Sequence, residues 1–138
     1  MEWKFGDYTI STDKKLLSDK KILSMLSETY WAANRSLAAI QKSIENSICF
    51  GVYYGKEQVG FARIVSDFAT MFWIADVIID ENHRGKSLGK NLVRCIVGME
   101  EVKGLKGILA TKDAHGLYEM VGFRRDADTF MRRQENGK

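Results

Sequence analysis

The chain has 138 residues, of which 45% are hydrophobic, and a formal net charge of +3. This size suits one domain with one core, and so mild a charge argues against a general nucleic-acid binder. Charged residues interrupt the apolar ones near the start, and no later apolar run approaches the roughly 20 residues of a membrane span. We therefore expect a soluble, cytoplasmic, single domain over residues 1–138, without a membrane or nucleic-acid partner.

The two cysteines, Cys49 and Cys95, stand in different contexts, one in a strand-like run and one in a helix-like run. Neither has a second thiol or a histidine at ligand spacing. The sequence therefore predicts buried, reduced thiols and neither a disulfide nor a metal site.

The first third of the chain reads as one strand followed by two helices. The strand is predicted at about residues 8–11. Ser18 or Asp19 can cap the first helix, and Ser36 can cap the second, because each precedes apolar residues spaced three and four apart. Both helices are expected to pack on a sheet.

Three strands are predicted next. The runs ICFGVYY and QVGFARIV are rich in β-branched and aromatic residues and are joined by a short turn, as in a hairpin. The run MFWIADVIID is apolar on both alternating faces apart from Asp76, which is typical of a central strand covered on both sides.

The last part of the chain reads as helix, strand, helix and strand. A helix is predicted from Ser87 to about Glu100, a strand at GILAT, and a short helix at AHGLYEMV that ends at Gly122 in a left-handed conformation. A final extended stretch is expected from Phe123.

The segment that joins the central strand to the long helix has the features of a phosphate site. The first amides of a helix are unpaired and carry the positive end of its dipole, so they attract anions. Gly85 and Gly89 would let a phosphate approach the backbone, and Arg84, Lys86 and Lys90 would add charge. A basic helix start without a ligand is the alternative.

A nucleotide-triphosphate P-loop is a rival interpretation, because Gly85-Lys86-Ser87 repeats the end of that motif. The P-loop requires an earlier glycine where this chain has Asp80, whose charge would repel phosphate. The spacing therefore disfavours this class.

Two segments together resemble the signature of the GNAT superfamily of N-acetyltransferases. The pattern R/Q-x-x-G-x-G/A is matched at Arg84 and Gly89, with Ser87 in place of the middle glycine. The closing segment ATKDAHGLYEMVGF is similar to the A-x-x-x-Y-x-x-x-G-F segment of the family, in the expected order and separation. The resemblance covers residues 48–123 well and the N-terminal third only by element order.

This resemblance implies a mixed, mostly antiparallel α+β sheet of about six or seven strands with four flanking helices. The sheet would splay between its fourth and fifth strands, MFWIADVIID and GILAT, to hold acetyl-CoA as a co-substrate, without a metal. The pantetheine arm would pair with the strand backbone and the pyrophosphate with the loop. The implied cofactor-binding residues are Val77, Ile78, Ile79, Arg84, Gly85, Lys86, Ser87, Leu88, Gly89 and Lys90.

The resemblance also implies direct attack of a primary amine on the thioester in a ternary complex. Tyr118 falls where the family often places a tyrosine near the departing sulfur, so it is the candidate general acid, unless it only packs the short helix. Asp76 is the candidate base, because burial beside the cleft would raise its proton affinity. Orientation of the substrate ammonium, or a water relay, is the alternative.

The acceptor amine is expected to bind the loop between the first two helices. The ring faces of Tyr30 and Trp31 suit a cationic amine, and Arg35 suits a carboxylate, which together would fit an amino-acid-like acceptor. Alternatively, Trp31 covers the core and Arg35 pairs with a local acid. Asp113 is predicted to cap the last helix, and His115 is held in reserve.

Two other functional classes remain as alternatives to a small-molecule or peptide N-acetyltransferase. One is a catalytically silent acyl-CoA-binding or sensing domain. The other is a nucleic-acid module built on the basic C-terminal segment, which is disfavoured because Asp126 and Asp128 interrupt its arginines. Since small family members often form homodimers, a homodimer also remains open.

Overall fold

The computed structural model describes residues 1–137. Within this range the chain forms one six-stranded sheet in the order β1-β2-β3-β4-β5-β6, with four α-helices, which confirms the predicted mixed fold. The strands are β1 Glu2–Phe5, β2 Tyr8–Ser11, β3 Ile48–Tyr54, β4 Glu57–Ser66, β5 Met71–Ile79 and β6 Lys106–Ile108. The helices are α1 Asp19–Leu26, α2 Leu37–Glu45, α3 Leu88–Gly98 and α4 His115–Glu119.

The sheet separates two cores. Strands β1 to β5 pair antiparallel in chain order, and β6 pairs parallel with β5 after the chain has crossed over through α3. Helices α1 and α2 pack on one face of the sheet, and α3 and α4 pack on the other. We call these the α1/α2 face and the α3 face.

Local capping and burial explain why α1 and α2 form where they were predicted. The Ser18 hydroxyl accepts the Lys21 amide at 3.1 Å, and the Ser36 hydroxyl accepts the Ala39 amide at 3.1 Å. Each such cap is worth about 1 kcal/mol. Ile22 of α1 is fully buried, and a side chain of this kind contributes about 1.5 to 3 kcal/mol on burial.

A β-bulge in β5 determines which face its later side chains occupy. Ile64 of β4 pairs with Ile74, but its neighbour Arg63 pairs with Asp76, so Ala75 is an extra residue on β5. Asp76 consequently points to the α1/α2 face, while Val77 packs into the core of the α3 face.

The structure corrects the ends of the predicted fold. The unpredicted β1 alternates exposed and half-buried residues, and its Trp3 and Phe5 pack against the core of the α3 face. The final strand predicted from Phe123 does not form within the described residues, because the charged segment after it lacks the apolar alternation of a strand. The additional β1 makes the splayed strands fifth and sixth.

Two further predictions concern the cysteines and membrane spans. Cys49 and Cys95 are buried free thiols, as predicted, and burial raises the pKa of each to about 11. No helix within residues 1–137 has the length and apolar character needed to cross a membrane.

Candidate active site

The predicted cleft lies between β5 and β6. These strands pair only from Met71 to Trp73, and Trp73 with Ile108 is the last pair. Beyond that pair β5 continues to Ile79 with β4 on one edge only, so the other edge of its backbone is open. The side chains of Val77 to Ile79 pack into the two cores, so a ligand in the cleft would meet their main-chain groups.

The segment after β5 gives the start of α3 an open backbone. Gly85 has a φ of +79° and Ser87 has a φ of +62°, so two left-handed residues flank Lys86. No side chain caps α3, and its first amides therefore remain available to an anion. A Cβ at Gly85 or Gly89 would meet no atom within 4 Å.

The charged side chains of this segment surround the helix start. Arg84, Lys86 and Lys90 are exposed, whereas the Leu88 side chain is buried in the core and offers only its backbone amide. Arg84 donates through Nε to the Ile79 carbonyl at 2.9 Å, which leaves its terminal amino groups available.

Contacts with α1 and β2 anchor the beginning of the predicted phosphate segment, residues 80–90. Asp80 forms an ion pair with Lys21 of α1, and this hydrogen bond holds the pKa of Asp80 below its usual value. The Tyr8 hydroxyl and His83 Nδ1 are hydrogen-bonded at 2.8 Å. The entry to the loop is therefore fixed from two sides.

Asp76 is a buried ion-pair centre. Its side chain accepts from Trp31 Nε1 at 2.7 Å, from Arg35 Nη1 at 2.9 and 3.1 Å, and from Arg63 Nε at 2.8 Å. Burial raises the pKa of Asp76, but the two guanidinium groups outweigh it and hold the pKa below its usual value. The expected net rise in its proton affinity, on which its role as base rested, is therefore wrong, although burial acts in the expected direction.

The loop between α1 and α2 crosses towards the chain after β6. The backbone amide of Lys112 donates to the Tyr30 hydroxyl at 2.9 Å, and its ammonium lies 4.7 Å from the centre of the Tyr30 ring. Trp31 and Arg35 both turn towards Asp76. Arg35 thus pairs with a local acid, which was the stated alternative, and uses only one of its terminal amino groups to do so.

Tyr118 lies on α4 with 8% of its surface exposed. Burial, followed by the nearby Tyr30 and Asp113, raises the pKa of Tyr118 to about 12, so its phenol is protonated at neutral pH. Among residues 1–137 no group forms a hydrogen bond with the Tyr118 hydroxyl. This oxygen is not fully buried. Asp113 does not cap α4 as predicted, since the N-cap residue is Ala114, without a side-chain cap.

Of two cavities in the described part of the chain, one adjoins the cleft. A cavity of about 200 Å³ lies between α1 and the start of the phosphate segment, with Ser24, Glu28 and Arg84 in its lining. A larger one of about 490 Å³ lies at the other end of the sheet, beside Lys14 and Phe68, and shares no residue with the cleft.

Sequence reasoning missed Arg63 and the pair formed by Tyr8 and His83. Arg63 carried a usable signal, because it is a charged residue within the buried run of the strand adjacent to the one that contains Asp76. Tyr8 and His83 are 75 residues apart and gave no such signal.

The comparisons with known proteins agree with this geometry. The family model described as the acetyltransferase (GNAT) domain matches residues 45–125. This chain belongs to the GNAT family of acetyltransferases. In the GNAT signature the middle glycine falls at Ser87, and the left-handed backbone found there explains the preference for glycine.

Individual relatives are GNAT proteins or candidate acetyltransferases. A crystal structure of a candidate GNAT acetyltransferase from Xanthomonas campestris pv. campestris is 37% identical, with a TM-score of 0.89 and 97% of each chain covered. A candidate acetyltransferase from Gibberella zeae is 30% identical over 68% of this chain and 64% of its own length. The chloroplastic GCN5-related N-acetyltransferase 2 of Arabidopsis thaliana is 29% identical over 78% of this chain and 44% of its own length. The chain thus spans about two thirds or less of these curated relatives.

Proposed function

We propose that residues 1–138 form one domain that transfers an acetyl group from acetyl-CoA to a primary amine of a small molecule or peptide. The observation that carries this proposal is the continuity between the open edge of β5 and the uncapped start of α3. The open edge of β5 can form hydrogen bonds with the amides of a pantetheine arm. The uncapped amides of α3 can then bind the diphosphate at the end of that arm.

Each part of this surface has a separate role in the proposal. The backbone groups of Val77, Ile78 and Ile79 pair with the pantetheine amides. The amides of Gly85 to Lys90 bind the pyrophosphate, including those of Ser87, Leu88 and Gly89. The side chains of Arg84, Lys86 and Lys90 add the positive charge that a diphosphate requires.

Acetyl-CoA, when bound, supplies the acyl group as a thioester. The acceptor nitrogen forms the new C–N bond, the C–S bond breaks, and the sulfur leaves with the bonding electron pair. Tyr118 donates a hydrogen bond from its hydroxyl to this sulfur, because the phenol is protonated and has no competing partner among the described residues. Its pKa of about 12 lies about 3.5 units above the reference value near 8.5 for a free thiol, so full transfer of the proton is unfavourable and the hydroxyl acts by stabilising the departing thiolate through a hydrogen bond.

The nitrogen must lose a proton during the reaction, and water is proposed to accept it. Asp76 is ionised, but its oxygens already accept hydrogen bonds from Trp31, Arg35 and Arg63. We therefore assign Asp76 a positioning role, since it ties the loop between α1 and α2 to the cleft. In this proposal Tyr30, Trp31 and Arg35 contact the acceptor from that loop.

Calorimetric titration with acetyl-CoA, desulfo-CoA and ATP in parallel tests the cofactor. We expect micromolar binding of both CoA compounds and weak binding of ATP, and a folded protein that binds neither CoA compound would refute the proposal. An amine screen by thiol release then separates the enzyme from a silent acyl-CoA-binding domain, which would bind acetyl-CoA tightly without releasing thiol.

A further inference from the structure

Trp73 lies at the closed end of the cleft. It is the last β5 residue paired with β6, beyond which the two strands diverge. It pairs with Val65 across β4, and the bulge at Ala75 places its side chain on the same face as Asp76. Because Ala75 is the extra residue, Trp73 and Asp76 are separated by two strand steps, or about 7 Å.

The C-terminal segment covers Trp73 without joining the sheet. Phe130 lies parallel to Trp73, with ring centres 6.4 Å apart and an interplanar angle of 7°. Aromatic rings at this separation form an offset pair, so the two present a broadened apolar surface. Phe130 remains 42% exposed, and Met131 is 94% exposed.

Side-chain contact is what retains this segment. Among residues 1–137, the backbone of residues 124–134 forms no hydrogen bond with the rest of the domain. The Trp73–Phe130 pair is therefore its aromatic anchor, and a ligand at the cleft could contact it without disrupting a strand ladder.

Charge adds a second element of recognition beside this apolar surface. Arg35 and Arg63 face the single carboxylate of Asp76, so this cluster carries one net positive charge. The Arg35 side chain is 25% exposed and binds Asp76 through Nη1 alone, so its remaining donors are available to a second carboxylate. Lys112, over the Tyr30 ring, adds positive charge on the side towards α4.

We propose that the C-terminal segment, through Phe130 on Trp73, forms the wall of the acceptor site opposite the loop between α1 and α2, and that the acceptor is an amine bearing a carboxylate and an aromatic or bulky apolar group. This inference rests on the N-acetyltransferase function proposed above. A polycationic amine would meet two guanidinium groups, and a small polar amine would leave the exposed aromatic surface uncovered.

Three amines test the acceptor class. Phenylalanine has both recognition groups, phenethylamine lacks the carboxylate, and spermidine lacks both and is polycationic. Their binding is measured by calorimetry with and without saturating desulfo-CoA, which cannot react. We expect phenylalanine to bind at least about tenfold more tightly than either of the others. Equal or tighter binding of spermidine, or no binding of phenylalanine, would overturn the acceptor class.

The variant Phe130→Ala tests the wall, and Met131→Ala is the matched control because it removes an exposed neighbour. Loss of an aromatic contact should weaken phenylalanine binding about 2- to 10-fold while CoA affinity stays unchanged. An unchanged affinity in Phe130→Ala, or an equal loss in Met131→Ala, would overturn the wall. Failure of desulfo-CoA to bind refutes the cofactor proposal separately, because amine binding is also measured without it.

Discussion

Replacing Tyr118 by phenylalanine is the sharpest test of the proposed chemistry. The substitution removes one hydroxyl, which has no hydrogen-bond partner among the described residues, and leaves the ring packed in the core. No folded-state hydrogen bond is lost, so the free energy of unfolding should change by no more than about 0.5 kcal/mol. CoA affinity should also be unchanged.

We expect the Tyr118→Phe substitution to lower kcat. General acid assistance contributes about 10² to 10⁴ in rate, and a thiolate is a fair leaving group, so we expect the lower limit of about 10²-fold in kcat. This corresponds to about 2.7 kcal/mol of transition-state stabilisation.

Thiol release from acetyl-CoA, with any accepted amine, measures this effect across pH. The pKa of Tyr118 is raised to about 12, so its active protonated form is present below that value and is lost only as pH rises through it. The wild-type protein should show no loss of kcat from this group between about pH 7 and 10. Tyr53→Phe is the control, because the Tyr53 hydroxyl likewise has no partner among residues 1–137 and a pKa of about 12, but it is fully buried and lies away from the cleft between β5 and β6. If Tyr118→Phe turns over as fast as this control, the assignment of the acid is wrong.

Three further substitutions test the site. Asp76→Asn should lower the free energy of unfolding by about 3 to 5 kcal/mol in urea titrations, because it leaves two guanidinium groups uncompensated; a loss below 1 kcal/mol would contradict the ion-pair centre. Gly89→Val should weaken CoA binding at least about tenfold by calorimetry. Gly98→Val is the control, because it is equally open but lies at the other end of α3, and it should leave CoA binding unchanged. Equal effects of the two substitutions would show that the start of α3 does not bind the phosphates. Ser87→Gly should raise the free energy of unfolding by up to about 1 kcal/mol and retain CoA binding, because it relieves a left-handed serine, and a destabilised variant would refute that explanation.

Local chemistry explains which parts of this molecule could be predicted. Ser18 and Ser36 begin helices because their hydroxyls accept amides only three residues away, so both caps are visible in a short stretch of sequence. The predicted phosphate segment, residues 80–90, is likewise contiguous in sequence. The charged run after Phe123 shows the limit, because a polar segment can be placed in or out of a sheet only when its packing partner is known.

The candidate site depended more on long-range partners. Asp76 was recognised as an isolated charge in a buried strand, but its protonation state is set by Arg63 on the adjacent strand and by Arg35, 41 residues away. Because strand register could not be derived from the sequence, burial seemed to act on Asp76 alone. The contact of Trp73 with Phe130 was unpredictable for the same reason.

The β-bulge at Ala75 determines which later residues of β5 face each side of the sheet. If Ala75 paired one to one with Arg63 and the bulge were lost, every later side chain of β5 would shift by one position, so that Asp76 would point into the hydrocarbon core beneath α3 and Val77 would face the α1/α2 side. The same shift in register would also change which residues of β5 direct their amides and carbonyls towards its open edge. The bulge at this one alanine thus places Asp76 beside the arginines and, in the same strand, sets which main-chain groups face the open edge of β5.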